Sequence, residues 1–116
     1  MGTILIVEDE RPMRELLAEV LEDAGHRALQ AIHGGHALEL IAQERPDLVI
    51  ADVMMPVLGG VALCHRLKAD PRTRAIPVVL MSAAGPQVAR EAGAEDFLDK
   101  PFGLDAVEAL ARRWLA

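Results

Sequence analysis

The chain is predicted to be an α/β protein of the form (βα)5, with one doubly wound, five-stranded parallel sheet and helices on both faces. Two observations carry this. Short apolar runs alternate with amphipathic segments from end to end, which is the sequence signature of repeated strand–helix units. The clearest runs, Thr3–Val7, Leu48–Ala51 and Pro77–Met81, are β-branched or leucine-rich and apolar on both faces. They therefore read as strands covered on both sides, not as half-exposed hairpins.

The elements follow in order. Thr3–Val7 opens the chain as a strand. Met13, Leu16, Leu17, Val20 and Leu21 then form the i, i+3, i+4, i+7, i+8 stripe of a helix, with Pro12 in its first turn and Gly25 closing it. His26–Ala31 is a weaker strand, followed by a helix marked by Ala37, Leu38 and Ile41 that stops before Pro46. Leu48–Ala51 leads to a third helix through Val61, Cys64 and Leu67, ending before Pro71. Pro77–Met81 leads to a short fourth helix, Gln87–Ala92, between Pro86 and Gly93. Asp96–Leu98 is the last strand, and Leu104, Val107, Leu110, Ala111 and Trp114 mark the last helix, whose Arg112 and Arg113 complement its negative end. Right-handed crossovers close these units into one sheet.

Composition bounds the function. The chain has 116 residues, 52% hydrophobic and 26% charged, a length that gives one domain, residues 1–116. Any effector is then expected on another chain or on a part of the protein that has been removed. Twelve basic against 18 acidic residues leave a net charge of −6, a surface that repels phosphate backbones and argues against direct nucleic-acid binding. The single Cys64 allows no internal disulfide framework and suits a reducing cytoplasm. No apolar run approaches the ~20 residues of a membrane span, and Ile6 stands where an acylation signal beginning Met1-Gly2 needs Ser or Thr. The expected location is cytoplasmic, with no membrane partner.

In an open parallel sheet the site lies beyond the carboxyl ends of the strands, where the strand order reverses. The predicted strands end in Glu8-Asp9-Glu10, in Asp52, in Ser82 and in Asp99-Lys100. Carboxylates crowded at such an edge repel one another unless a cation joins them, and oxygen-only ligands select a hard ion such as Mg²⁺. This inventory suits phosphoryl transfer to a carboxylate, with Asp52 attacking phosphorus while the metal and Lys100 neutralise oxygen charge.

The stretches ILIVEDE, PDLVIADVMMP, Gly60, PVVLMSA and DFLDKPF, in that order and each at a strand end, resemble the receiver domain of two-component response regulators. The resemblance runs from Thr3 to about Leu115. It implies the flavodoxin-like strand order 2-1-3-4-5. It implies Asp52 as phosphoacceptor and Mg²⁺ held by Glu8 (mainly through water), Asp9, Asp52 and the backbone carbonyl of Met54. It further implies Lys100 on the phosphoryl oxygens, Ser82 as the switch hydroxyl, Phe97 as the switch aromatic, and a cis Lys100-Pro101 bond. The implied partners are a histidine kinase or histidine phosphotransfer protein as donor, and a downstream target or a missing effector domain as output. A phosphorylation-dependent dimer is also open. Such a domain is not a turnover enzyme; it catalyses only its own phosphorylation and dephosphorylation.

Departures from the family pattern are informative. Glu8 stands where Asp is commonest, Gly59 where an acid is frequent, and the Ser82–Lys100 stretch is shorter by about one helical turn. The fourth helix is therefore expected to be stunted, which puts any inherited dimer geometry in question. Met54 and Ala84 flank the path of a water attacking an acyl phosphate, and neither can orient it, so a long-lived phosphorylated form is expected.

Other readings stand beside these. Asp52 alone is an ordinary turn residue, Glu8 to Glu10 an ordinary solvated helix start, Ser82 a turn former and Phe97 core. Cys64 reads as core and Trp114 as core edge, while His33 and His36, sharing a helix face, read as solvated. For the whole chain, two alternatives remain. One is a degenerate receiver used as a phosphorylation-independent interaction module. The other is a Mg²⁺-dependent phosphohydrolase with an Asp nucleophile, although Met54 occupies the position where haloacid-dehalogenase-type phosphatases need a second carboxylate.

Overall fold

Runs of β-branched and leucine residues with no polar position cannot present either face to water, and they define the centre of the molecule. A computed structural model describes residues 2–115; Met1 and Ala116, included in the single-domain reading, lie outside the described residues, as does the Met1 end of the acylation motif. The strands are β1 (Thr3–Val7), β2 (Arg27–Ala31), β3 (Leu48–Asp52), β4 (Val78–Ser82) and β5 (Asp96–Asp99). They form one sheet in the order β2-β1-β3-β4-β5, and every neighbouring pair is parallel. The expected order is the observed one.

The helices are α1 (Arg11–Asp23), α2 (Gly34–Gln43), α3 (Gly60–Ala69), α4 (Pro86–Ala92) and α5 (Leu104–Leu115). Alternate strand positions separate two cores. Ile4, Ile6, Leu48, Ile50, Val79, Met81 and Leu98 face α1 and α5, where they meet Leu17, Leu21, Val107 and Leu110. Leu5, Val7, Val49, Ala51, Val78 and Leu80 face α2, α3 and α4, where they meet Ile41, Leu63, Leu67 and Ala89. Each fully buried Leu or Ile contributes roughly 1.5–3 kcal/mol, so the sheet is held from both sides with little tolerance for register slips.

Element ends differ from expectation by single residues. β2 starts at Arg27 and β4 at Val78 rather than at His26 and Pro77; Pro77 has no N–H to give to a ladder. The fourth helix has seven residues and runs from Pro86, after Gly85 at φ 98°, to a left-handed Gly93 at φ 79°, so it is short as expected. Cys64 is buried, with its thiol donating to the Ala92 carbonyl, and burial pushes its pKa up to about 11.

One reading needs correction, and one is borne out with an addition. His33 and His36 are not free solvated side chains. The His36 N–H donates to His33 Nδ1 at 3.0 Å, and the Ile32 N–H donates to His36 Nδ1 at 3.1 Å. The first bond caps α2, satisfying one N–H that the helix start otherwise leaves orphaned, and the second ties the incoming chain at Ile32 back to the first turn. Trp114 lies at the edge of the α1/α5 core as expected, and its indole N–H also donates to Asp96 at 2.9 Å, beside Arg113 at 2.7 Å. No helix among the described residues is long and apolar enough to cross a membrane.

Candidate functional site

The strand parity that separates the two cores also aims the polar residues at the carboxyl edge. Glu8 continues the row Ile4–Ile6, Asp52 the row Leu48–Ile50, and Lys100, two residues on, the row of Leu98, so by parity all three belong to the α1/α5 side. Ser82 and Phe97 fall on the other parity, toward α2, α3 and α4, and Phe97 is half-buried against that core. The chain turns outward from β1 to β2 and then returns to β3 on the opposite side. The β1/β3 edge is therefore the reversal point at which a ligand crevice opens.

The residues expected there are brought together. Asp52 is 5% exposed and Glu8 is wholly buried. Carboxylate oxygens of Glu8, Asp9 and Asp52 all lie within 4.8 Å of one another. Lys100 Nζ stands 3.1 Å from Asp52 Oδ1 and 3.7 Å from Glu8 Oε1. Asp9 is exposed at the mouth, and Met54 is 79% exposed. Gly60 is required by close approach: a Cβ there would lie 2.4 Å from the Asp52 carbonyl oxygen. Its absence lets α3 start directly against the end of β3.

Glu8 is not part of a solvated helix start. One oxygen accepts the Glu10 N–H at 3.1 Å, while Oε1 is buried with no hydrogen-bond partner among the described residues. Burial raises its pKa to about 7; the Asp52 charge adds to the rise, and the Glu10 N–H and Lys100 oppose it. Burial also works against the Lys100 ammonium, but its hydrogen bond to Asp52 and the charges of Asp52, Glu8 and Glu10 outweigh this and hold it above its ordinary value.

Three carboxylates around one ammonium leave excess negative charge in a half-closed space, with a buried carboxylate oxygen aimed into it. A hard divalent cation fits this donor set on both counts. A cavity of about 390 Å³ lined by Glu10, Met13, Ala83, Lys100, Pro101 and Phe102 opens next to the cluster. A second cavity of about 420 Å³ lies between α2 and α3 and contains none of these residues. The Lys100-Pro101 bond is cis.

Ser82 is 4% exposed, and its hydroxyl accepts the Ala84 N–H at 2.9 Å, so in this state it is engaged in its own turn. Arg14 was not singled out by the sequence. Its guanidinium Nη1 donates to the Glu8 carbonyl at 3.0 Å. The only hint in the sequence is a cation in the first turn of α1, where the helix dipole disfavours one.

Known proteins resemble the chain throughout. The profile of the family described as response regulator receiver domain matches residues 4–112. The phosphate regulon transcriptional regulatory protein PhoB of Pseudomonas aeruginosa is 41% identical over 104 residues, covering 86% of this chain and 45% of that protein. The DNA-binding dual master transcriptional regulator RpaA of Synechocystis sp. is 39% identical over 116 residues, covering 97% and 47%. The chain thus spans about half the length of these relatives. Among solved structures, the signal receiver domain of a signal transduction histidine kinase from Syntrophus aciditrophicus superposes with a TM-score of 0.92. It is 38% identical, covering 99% of this chain and 90% of that one. The Vibrio cholerae chemotaxis protein CheY4 superposes with a TM-score of 0.91 at 27% identity, covering 99% of each.

Proposed function

The chain belongs to the response regulator receiver family, and from that premise we propose that Asp52 is the residue that accepts a phosphoryl group. The observation that carries this is the position of its carboxylate, nearly buried at the β1/β3 reversal, 3.1 Å from Lys100 and within one cluster with Glu8 and Asp9. In the step proposed, an Asp52 oxygen bonds to the phosphorus of a donor phosphohistidine as its N–P bond breaks. The histidine leaves as imidazole, and Asp52 becomes an acyl phosphate.

Held by Glu8, Asp9, Asp52 and the Met54 carbonyl, Mg²⁺ would neutralise charge on the phosphoryl oxygens. Lys100, already charged and set against Asp52, supplies a second positive group to the same oxygens. Ser82 then gives up the Ala84 N–H and donates its hydroxyl proton to a phosphoryl oxygen. Phe97, half-buried on the same side of the sheet, repacks with that loop, so the new anion tips a two-state surface.

Receiver domains are signalling domains rather than turnover enzymes; here the only chemistry proposed is gain and loss of the domain's own phosphoryl group. The donor is a histidine kinase or histidine phosphotransfer protein, and the output is a downstream target or an effector domain. A phosphorylation-dependent dimer is compatible with this. Residues 1–116 act as one receiver domain in the cytoplasm, and the net charge of −6 leaves nucleic-acid contact to a partner.

Incubation with acetyl phosphate and Mg²⁺, read by intact mass, tests the proposal. A single phosphoryl adduct absent from Asp52→Asn is expected. Steady turnover of phosphate esters would instead support the phosphohydrolase reading, and no adduct in the native protein the interaction-module reading.

A further inference from the structure

We propose that Arg14 is a positioning residue of the acidic cluster, fixing the Glu8–Asp9 peptide and with it the directions of both carboxylates. This rests on the reading of that cluster as a cation-dependent phosphoacceptor site. β2 stops at Ala31, and the last rung it offers β1 is the Ala31 carbonyl, which accepts the Glu8 N–H at 3.1 Å. In a strand, the carbonyl of a residue points to the same side as its N–H, so the Glu8 carbonyl faces a place where β2 no longer supplies a donor. A backbone acceptor in that position needs a partner. Arg14 fills it, with Nη1 donating to the Glu8 oxygen at 3.0 Å. The side chain does what the next strand residue would have done.

The guanidinium is itself oriented. Its Nε donates to Gln30 Oε1 at 3.3 Å, and Gln30 stands beside Ile6 in the β1–β2 register, on the α1 side of the sheet. The Arg14 backbone is anchored separately, its N–H donating to the Glu10 carbonyl at 2.9 Å. Two donors of one planar fork thus tie α1 to the ends of two strands, an arrangement a lysine's single ammonium cannot reproduce. The held peptide joins Glu8, whose carboxylate is turned inward, to Asp9, whose carboxylate is exposed. A swing of that one unit moves two of the three carboxylates at once.

The charge of Arg14 and its positioning act in opposite directions, which makes the role decidable. A cation near a cation site repels the incoming ion. If charge alone mattered, Arg14→Ala would bind Mg²⁺ more tightly. If Arg14 positions the cluster, the same variant binds Mg²⁺ about tenfold more weakly, as for loss of other groups that orient ligands. Arg14→Lys should fall between, and Gln30→Ala should weaken binding in the same direction but less. Mg²⁺ titrations followed by backbone amide NMR shifts at Asp9 and Asp52 measure this.

A metal-free readout accompanies it. The Glu10 N–H, bound to Glu8 Oε2, should exchange with solvent faster in Arg14→Ala, while the amides of Leu5 and Ile6 keep their protection. Equal or tighter Mg²⁺ binding in Arg14→Ala overturns the proposal, as does unchanged exchange at Glu10. If that variant does not fold, Gln30→Ala carries the same test. If native protein shows no Mg²⁺ response at Asp9 or Asp52, the cation-site reading falls instead, and Glu10 exchange still decides whether Arg14 holds the peptide.

Discussion

The two edges of the sheet carry similar side chains and opposite electrostatics. At the amino edge, Lys68 Nζ donates to the Ile76 carbonyl at 2.7 Å and the Arg74 carbonyl at 3.1 Å, and lies 2.8 Å from Glu95 Oε1. Glu95 also accepts the Val78 N–H at 2.7 Å. Lys68 and Glu95 both have partners, and the cluster latches the α3–β4 connection to β4 and to the turn before β5. At the carboxyl edge, Lys100 faces Asp52 and Glu8, Asp9 stands beside them, and one Glu8 oxygen has no hydrogen bond among the described residues. A closed cluster stabilises the fold; an open one holds free energy in reserve for a ligand. The difference lies in satisfaction, not in residue type.

That contrast breaks most completely at Asp52. Asp52→Asn should abolish the acetyl-phosphate adduct while leaving a folded domain, by intact mass and circular dichroism. An adduct in the variant would move the chemistry elsewhere.

Next in size is the pH dependence of the metal-free protein. The folded state holds the Glu8 proton up to about pH 7, whereas the unfolded chain releases it near the ordinary value of about 4.5. Folding takes up that proton between these limits. The contribution is therefore whole below about 4.5 and lost as pH rises through about 7, a change of up to about 3 kcal/mol. Urea melts at a series of pH values should show this decline, Glu8→Gln should flatten it, and added Mg²⁺ should offset it at neutral pH. Stability that rises through the same window in Glu8→Gln and native protein alike would remove the contrast.

At the amino edge a substitution should change stability and leave the carboxyl edge untouched. Lys68→Met leaves two carbonyls without their donor and Glu95 with only the Val78 N–H, and should cost about 1–2 kcal/mol, since the pair is partly exposed. Its Mg²⁺ affinity should equal that of the native protein. A loss of affinity would show the two edges to be coupled. The smallest effect concerns phosphoryl lifetime. With exposed Met54 and Ala84 beside the site, native phosphoprotein should decay slowly at neutral pH in Mg²⁺. Met54→Asn should shorten its life roughly tenfold, about 1.4 kcal/mol of barrier. A native half-life of seconds would contradict this.

Much of the site is legible because strand periodicity is legible. Runs such as Leu48–Ile50 end where polarity begins, so Asp52 and Glu8 could be placed at strand ends without coordinates. Ser82 and Lys100 follow from the same rule. Burial was less accessible: Glu8-Asp9-Glu10 has the look of a helix start, yet only Glu8 is enclosed, because its parity points inward. The histidine cap and the Asp96–Trp114 bond were missed for another reason. A His offers no signal distinguishing a free imidazole from one whose nitrogen accepts an N–H, and Asp96 and Trp114 meet across 18 residues.

By itself the sequence determined the elements, their parallel arrangement and the chemical character of the carboxyl edge, because these depend on local periodicity and on which residues follow each strand. Tertiary structure alone decided which carboxylate is buried, that Ser82 engages its own turn, and that Arg14 stands in for a missing strand rung. Those outcomes depend on distances between residues far apart in the chain, set only when two cores pack against one sheet.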